Sequence, residues 1–192
     1  AHAVINALPS GCKYPFKHLA GVGVAYKLVS ALFKGTGFIA GGYLDLVSLG
    51  TVADCVPLHD ENRVIVKYGM LVLSKTRRVG LQELFSVGRI QIDENNVPET
   101  RKIAFQVAPR INSAGRMNHA NAAYNLLIET DRVKARDLAL ELEESNSQRQ
   151  KETGEVCAAV RALANKKFKE KKLIFAVDEH YPIGIAGLVA GK

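Results

Sequence analysis

The sequence predicts a predominantly α-helical chain with few strands. Apolar residues recur at helical spacing in several segments, one helical pattern extends from residue 131 to about residue 164, and residues 173 to 177 have the pattern of a buried strand. The 192 residues are 47% hydrophobic and 23% charged, a composition that can bury the core of one domain or of parts of two.

The first half of the chain contains three helical patterns and one ambiguous run. Residues 17 to 34 carry apolar side chains at helical intervals, and residues 62 to 75 and 80 to 87 show the same spacing. Residues 43 to 53 are apolar enough to form either a helix or a buried strand, and the pattern alone leaves both open.

The second half predicts two short helices, one long helix and the start of an α/β unit. A short apolar pattern indicates a helix that Pro109 ends, and a second helix follows near residues 120 to 129. Asp131 is a suitable N-cap for the long helix. After the strand predicted at 173 to 177, Pro182 precedes a glycine-rich helix start whose amides could face an anion.

Residues 143 to 154, within the long helix, are polar on every face. Such a stretch usually bridges parts of a protein through solvent, and we interpret it as a solvated spacer. The alternative is that it faces a groove between two domains, toward which its longer polar side chains would point: Asn146, Gln148, Arg149 and Lys151.

The charge balance favours a polyanionic partner. The chain has 26 Lys and Arg residues against 19 Asp and Glu residues, and its net charge of +7 eases nonspecific attraction to phosphate without identifying a ligand. No apolar run is long enough to cross a membrane, and no segment resembles a signal peptide.

The three cysteines are far apart and form no Cys-x-x-Cys pair. This spacing disfavours a zinc knuckle and a disulfide scaffold. We therefore expect a cytoplasmic protein in a reducing environment.

The segment Pro109-Arg-Ile-Asn-Ser-Ala-Gly-Arg116 crowds two guanidinium groups and a carboxamide around small residues. The forks of Arg110 and Arg116 suit phosphate oxygens, and Ser113 could cap a following helix. We interpret the segment as a turn between helices that grips phosphate. A solvated helix connection is the alternative.

Asp54 closes a long apolar run, so we expect its carboxylate at the edge of a core. An unpaired charge there would cost several kcal/mol, as an order of magnitude. A divalent metal, an arginine, or the free amides of the next helix could each compensate it.

Taken together, these motifs resemble the RecJ exonucleases of the DHH phosphoesterase superfamily. Gly50-Thr-Val-Ala-Asp54, Glu61-Asn-Arg63 and the segment from Pro109 to Arg116 carry the resemblance. Further landmarks fall in the same order as in that family: Ala3-Val-Ile-Asn6, Tyr14-Pro-Phe-Lys17 and Glu141-Leu-Glu-Glu-Ser-Asn-Ser-Gln-Arg149. The resemblance covers nearly the whole chain.

The resemblance implies an α/β parent fold and an enzyme that removes nucleotides from single-stranded DNA in the five-prime to three-prime direction. It implies Mn²⁺ or Mg²⁺ at a two-metal site with Asp54 as a ligand and catalytic residue. Arg110, Asn112 and Arg116 would hold backbone phosphates. Single-strand-binding protein and a helicase are the partners that it suggests.

The resemblance also predicts an internal fragment, because the family's Asp-His-His triplet occurs nowhere in the 192 residues. Residues 1 to 100 would end the DHH domain, residues 101 to 168 would form connecting helices, and residues 169 to 192 would begin the DHH-associated domain.

Two other function classes remain open from the sequence. One is a DHH phosphodiesterase for short oligonucleotides or cyclic dinucleotides, which would share the metal chemistry. The other is a noncatalytic scaffold that binds nucleic acid. The Asp-His-His triplet would separate an enzyme from a scaffold.

Overall fold

The computed structural model describes residues 5–9, 11–36, 40–117, 120–167 and 174–192. Their regular structure is helical. The α-helices, in chain order, are α1 (Gly21–Leu32), α2 (Leu44–Ala53), α3 (Asp60–Leu73), α4 (Val79–Val87), α5 (Thr100–Lys102), α6 (Ala108–Met117), α7 (Asn121–Ile128), α8 (Arg132–Lys167) and α9 (Ile183–Ala190). A 3-10 turn, Ala40–Tyr43, precedes α2, and a π-helical segment, Ile103–Val107, joins α5 to α6.

The predicted helical class is confirmed, and the ambiguous run 43 to 53 forms α2. The strand predicted at 173 to 177 is wrong over its described part, because residues 174–178 are irregular and Phe175 is 80% exposed. A lone strand without a partner is only marginally stable, and the described ranges contain no strand with which it could pair. Leu173 lies outside the described residues, as do Ala3 and Val4 of the motif Ala3-Val-Ile-Asn6.

The core forms where α2, α3, α4, α6, α7, α8 and the π-helical segment meet. Its fully buried side chains are mostly aliphatic, among them Leu73, Leu81, Leu84, Ile103, Leu126 and Leu142. The helices α2 and α3 cross closely at Gly69, where a Cβ atom would lie 2.3 Å from Ser48 Cβ and 2.5 Å from Leu44 O. A larger residue at position 69 would force these helices apart.

Two buried carboxylates connect distant parts of the helical assembly. Asp45, 3% exposed, accepts hydrogen bonds from Thr76 Oγ1 and from Arg78 Nε, both at 2.9 Å. Glu83, 4% exposed, binds Arg132 at 2.7 Å and so ties α4 to the first turn of α8. Each charge is paired, as burial of a carboxylate requires.

The long helix α8 starts where its cap was predicted, since Asp131 Oδ1 accepts a hydrogen bond from Lys134 N at 2.9 Å. Its polar stretch is solvated on one side only, because Asn146 and Thr153 are 1% and 2% exposed while Gln148 and Lys151 are exposed. That stretch packs against neighbouring helices, so its polar groups need partners within the protein. None of the helices in the described ranges has both the length and the apolar character of a membrane span.

Candidate functional site

Asp54 is the C-cap of α2, and its side chain is exposed rather than lying at a core edge. The sequence expectation was wrong because α2 ends at Ala53, and both Asp54 and Cys55 beyond its last turn are exposed. Cys55 adopts a left-handed conformation with φ of 55°. Within the described ranges, no donor forms a hydrogen bond or ion pair with the Asp54 carboxylate.

The position of Asp54 suits a cation. The carboxyl end of a helix carries partial negative charge on its free carbonyl groups, and a carboxylate there increases it. Carboxylate oxygens are also the ligands that Mg²⁺ and Ca²⁺ prefer. The described part of the chain holds no cluster of three or more His, Cys, Asp or Glu residues that could bind a metal ion. A single carboxylate can supply one ligand, and the described residues bring no further set of ligands together with it.

Buried Asn62 anchors the loop that follows Asp54. Its Nδ2 donates to Pro57 O at 3.0 Å and to His18 O at 2.7 Å, which ties the loop to the N-terminal segment. At the end of this loop, Asp60 has φ of 45°, so left-handed non-glycine residues stand at both ends of the loop. Such costly conformations cluster at functional sites and persist only where the surroundings hold them.

Glu61, beside this anchor, forms a salt bridge with Lys27 and accepts a hydrogen bond from Tyr14 Oη at 2.6 Å. Burial by itself raises the pKa of the Glu61 carboxyl. The hydrogen bonds from Lys27 and Tyr14 outweigh burial, and the net pKa is lowered. Glu61 and Asn62 thus tie the N-terminal segment to the start of α3 and to the Asp54 loop.

The segment from Pro109 to Arg116 is helical, and the predicted turn is wrong. Pro109 is the second residue of α6 and does not end a helix. The π-helical turn before it explains this: Ala108 N–H donates to Ile103 O, five residues back. The wider turn relieves the clash that a proline ring makes with the carbonyl group four residues earlier in an α-helix.

Arg110 is occupied by an intramolecular ion pair. Its Nε and Nη2 donate to the two carboxylate oxygens of Glu143 at 2.5 and 3.1 Å, and its Nη1 donates to Gln106 O at 2.6 Å. The side chain is only 14% exposed. Three of its five N–H donors are therefore used within the protein, among them the fork formed by Nε and Nη2, and its geometry is that of a link between α6 and α8.

Ser113 also serves packing rather than capping. Its side chain is fully buried and its Oγ donates to Arg110 O at 2.6 Å, within the same helix. Leu142 O, on α8, lies 3.4 Å from the same oxygen. The small hydroxyl group therefore allows α6 and α8 to approach closely.

We expect Arg110→Met to destabilise the chain by about 1–3 kcal/mol, because it removes charge-assisted hydrogen bonds and leaves Glu143 unpaired. Urea unfolding of the single variants and of the double variant with Glu143→Gln measures the coupling between the two side chains. Arg101→Met is the matched control, since Arg101 is exposed on α5 without a partner among the described residues. Equal stability of both methionine variants would contradict the assignment.

Arg116 and Asn112 are both exposed on α6. Arg116 Nη1 donates to Gly184 O at 3.1 Å, across to the first turn of α9. The side chain of Asn112 has no hydrogen-bond partner within the described ranges. Of the three predicted phosphate contacts, the structure leaves these two accessible.

Arg149, on α8, is a further arginine near Arg116, and the sequence did not distinguish it from its neighbours. Its Nη2 donates to Asn146 Oδ1 at 2.9 Å, but its Nε is buried and has no hydrogen-bond partner in the described part of the chain. A buried donor left unsatisfied costs about 1–3 kcal/mol. Burial, and secondly the nearby charge of Arg116, lower the pKa of the Arg149 guanidinium. In the sequence, Arg149 is one of several polar residues in the same stretch. Nothing in the pattern distinguished it from Lys151.

The comparisons with known proteins agree on one group. No protein-family model matches the chain. The single-stranded-DNA-specific exonuclease RecJ of Bacillus subtilis is 40% identical over 190 residues, which cover 99% of this chain and 23% of that protein. RecJ of Haemophilus influenzae is 32% identical over 207 residues, which cover the whole chain and 36% of that protein. The chain therefore spans between 23% and 36% of the length of these two relatives.

Solved structures give the same match. A crystal structure of RecJ in complex with Mn²⁺ from Thermus thermophilus is similar with a TM-score of 0.81 and 33% identity, over 96% of this chain and 27% of that chain. A crystal structure of exonuclease RecJ bound to manganese is similar with a TM-score of 0.78 and 33% identity, over 96% of this chain and 45% of that chain.

Proposed function

Because this chain belongs to the RecJ family by sequence and by fold, we propose that its protein is an exonuclease that hydrolyses phosphodiester bonds of single-stranded DNA. The supporting observation is the similarity of sequence and fold over at least 96% of the chain. The relatives are much longer than this chain. The activity, substrate and partners are therefore proposals for the whole protein.

Asp54 is proposed as one ligand of a divalent metal site that binds Mn²⁺ or Mg²⁺. Its carboxylate, which has no partner among the described residues and lies at the negative end of α2, supports this role. Bound divalent ions at such a site lower the pKa of an attacking water and offset charge on the phosphate. Asn62 would keep the Asp54 loop in place during turnover through its hydrogen bonds to Pro57 O and His18 O.

Arg116 and Asn112 are proposed to position the strand through its backbone phosphates, which fix register without reading sequence. Arg110 is reassigned from phosphate contact to a positioning residue, because Glu143 occupies its fork. It would act by keeping α6 seated on α8.

The finer properties rest on family resemblance. We propose digestion in the five-prime to three-prime direction, a cytoplasmic location, and single-strand-binding protein and a helicase as partners. The division of the chain into the end of a DHH domain (1 to 100), connecting helices (101 to 168) and the start of a DHH-associated domain (169 to 192) is part of the same proposal.

The test is nucleotide release by the whole protein from single strands labelled at either end. We expect release with Mn²⁺ or Mg²⁺, little release from duplex DNA, and none after chelation. The 192-residue chain alone is the negative control, because one carboxylate cannot assemble a two-metal site. Strand binding without release under any divalent metal would instead indicate a scaffold. Cleavage confined to short oligonucleotides or cyclic dinucleotides would indicate the phosphodiesterase class.

A further inference from the structure

Helix α3 buries one face in the core and exposes the other. The exposed face carries two cations one turn apart, Arg63 and Lys67, with Tyr68 and Leu71 beside them. The Nζ atom of Lys67 lies 5.8 Å from the centre of the Tyr68 ring. Neither cation has an acidic partner in the part of the chain that the structure describes. This face therefore combines uncompensated positive charge with an exposed aromatic ring.

The same face forms one side of an open groove, which we call the tyrosine groove. The 3-10 turn before α2, the loop between α3 and α4 and the end of α7 form its other sides. Its three tyrosines, Tyr43, Tyr68 and Tyr124, are 42%, 51% and 61% exposed. With a volume of about 1380 Å³, the groove exceeds the pockets of about 300–1,000 Å³ that hold small molecules, so its size suits an extended ligand.

The charges of the tyrosine groove favour an anion. Both of its acids are engaged: Asp45 pairs with Arg78, and the Glu129 carboxylate accepts two backbone N–H groups. Arg77, in contrast, is exposed and has no acidic partner among the described residues. The Arg78 guanidinium lies 5.1 Å from the centre of the Tyr43 ring, so cations accompany two of the three tyrosines.

The tyrosine groove is separate from the Asp54 site but connected to it along two helices. Leu44 lines the groove at the first turn of α2, and Asp54 is the C-cap of that helix, ten residues or about 15 Å away. A smaller depression lined by Asp60, Val64 and Tyr68 continues the groove along α3 toward the Asp54 loop. A strand held at Asp54 could therefore reach the groove within a few nucleotides.

We propose that the tyrosine groove is an auxiliary binding surface for single-stranded nucleic acid, in which bases stack on Tyr68 and Tyr124 and Arg77 contacts a backbone phosphate. Surfaces that bind single strands combine exposed aromatic rings with cations along a groove, because every base has a π-face and every nucleotide carries a charge. The choice of nucleic acid rests on the proposed function. The groove would hold the part of a long strand that extends beyond the Asp54 site.

The test compares long and short strands on the whole protein. Binding of a fluorescent oligothymidylate of about 30 nucleotides is measured in EDTA, so that no hydrolysis occurs. Tyr68→Ala and Tyr124→Ala should each weaken this binding by about tenfold, because the base loses its stacking partner. Nucleotide release from a strand of about 5 nucleotides with Mn²⁺ should stay within about twofold of wild type, because its few phosphates are held at the Asp54 site.

Conservative variants and matched controls separate stacking from folding and from general charge. Tyr68→Phe and Tyr124→Phe keep the ring and should bind the long strand like wild type. Phe105→Ala should also bind like wild type, because Phe105 is 75% exposed but lies outside the groove. Arg77→Gln should reduce the slope of log affinity against log salt by about 0.7, the value for one phosphate contact on a single strand. Arg101→Gln, at another exposed arginine, should leave the slope unchanged.

Three outcomes would overturn the proposal. They are unchanged long-strand affinity in both Tyr→Ala variants, equal weakening by Phe105→Ala, and loss of affinity for polyglutamate with strand affinity unchanged, which would indicate an acidic protein segment as the ligand. The proposed function fails in a different way: the wild-type protein would release no nucleotides from either strand. Weakened long-strand binding by Tyr68→Ala and Tyr124→Ala would support the groove even then, because it is measured without hydrolysis.

Discussion

Replacing Asp54 with asparagine in the whole protein should, under the proposed function, lower nucleotide release at saturating Mn²⁺ by at least about 100-fold, because Asp54 is proposed as a metal ligand and even residues behind metal ligands commonly contribute 10- to 100-fold. The fold should be unaffected. Asp54 is exposed and unpartnered among the described residues, and substitutions at such surface positions change stability by less than about 0.5 kcal/mol.

Three measurements on the same preparation test the role of Asp54: nucleotide release, Mn²⁺ affinity and thermal melting. Asp60→Asn is the matched control, because Asp60 is an exposed acid in the same loop and asparagine tolerates its left-handed backbone. Near-normal release and Mn²⁺ affinity in Asp54→Asn would reassign this carboxylate to a solvated helix end. A large drop in melting temperature would instead make it a structural cap.

Asp45 lies at the other end of the same helix, and its substitution should lower stability, unlike that of Asp54. We expect Asp45→Ala to lower the free energy of unfolding by about 3–5 kcal/mol, the usual cost of removing one partner of a buried ion pair. The substitution leaves three donors without their acceptor: Thr76 Oγ1, Arg78 Nε and the backbone N–H of Leu46. The loss would correspond to a drop of roughly 6–20 °C in melting temperature for a chain of this size.

Urea unfolding and thermal melting measure this effect. Glu94→Ala serves as the comparison, since Glu94 pairs with Lys75 on the surface and both side chains are at least 60% exposed. Its loss should be within about 1 kcal/mol. Comparable stability of the Asp45 and Glu94 variants would show that the buried pair contributes no more than a surface pair.

Much of the helical order was predictable from residue spacing. The patterns at 62 to 75, at 80 to 87 and beyond Asp131 correspond to α3, α4 and α8, because helical periodicity depends on residues close together in the chain. The same local reasoning was wrong at Pro109. Local rules treat proline as a helix stop, whereas the π-helical turn that accommodates it is built by packed neighbours, with Ile103 and Val107 both fully buried.

The candidate site was predictable to a lesser degree. The motifs at Asp54 and at Pro109 to Arg116 indicated the type of chemistry, since carboxylates suit metals and guanidinium forks suit phosphate. Spacing did not reveal that Arg110 is paired. Its partner Glu143 is 33 residues away, and the two meet only because α6 packs on α8.

The sequence by itself determined the helical class, the order of the helices and the residue types available for a metal and for phosphate. Only the tertiary structure decided which of those charges remain free. Asp45 is neutralised by Arg78 while Asp54 is left exposed, and Arg110 is neutralised by Glu143 while Arg149 has no acidic partner among the described residues. The physical reason is that charge pairing depends on which helix faces meet, and helix packing joins residues that are far apart in the chain.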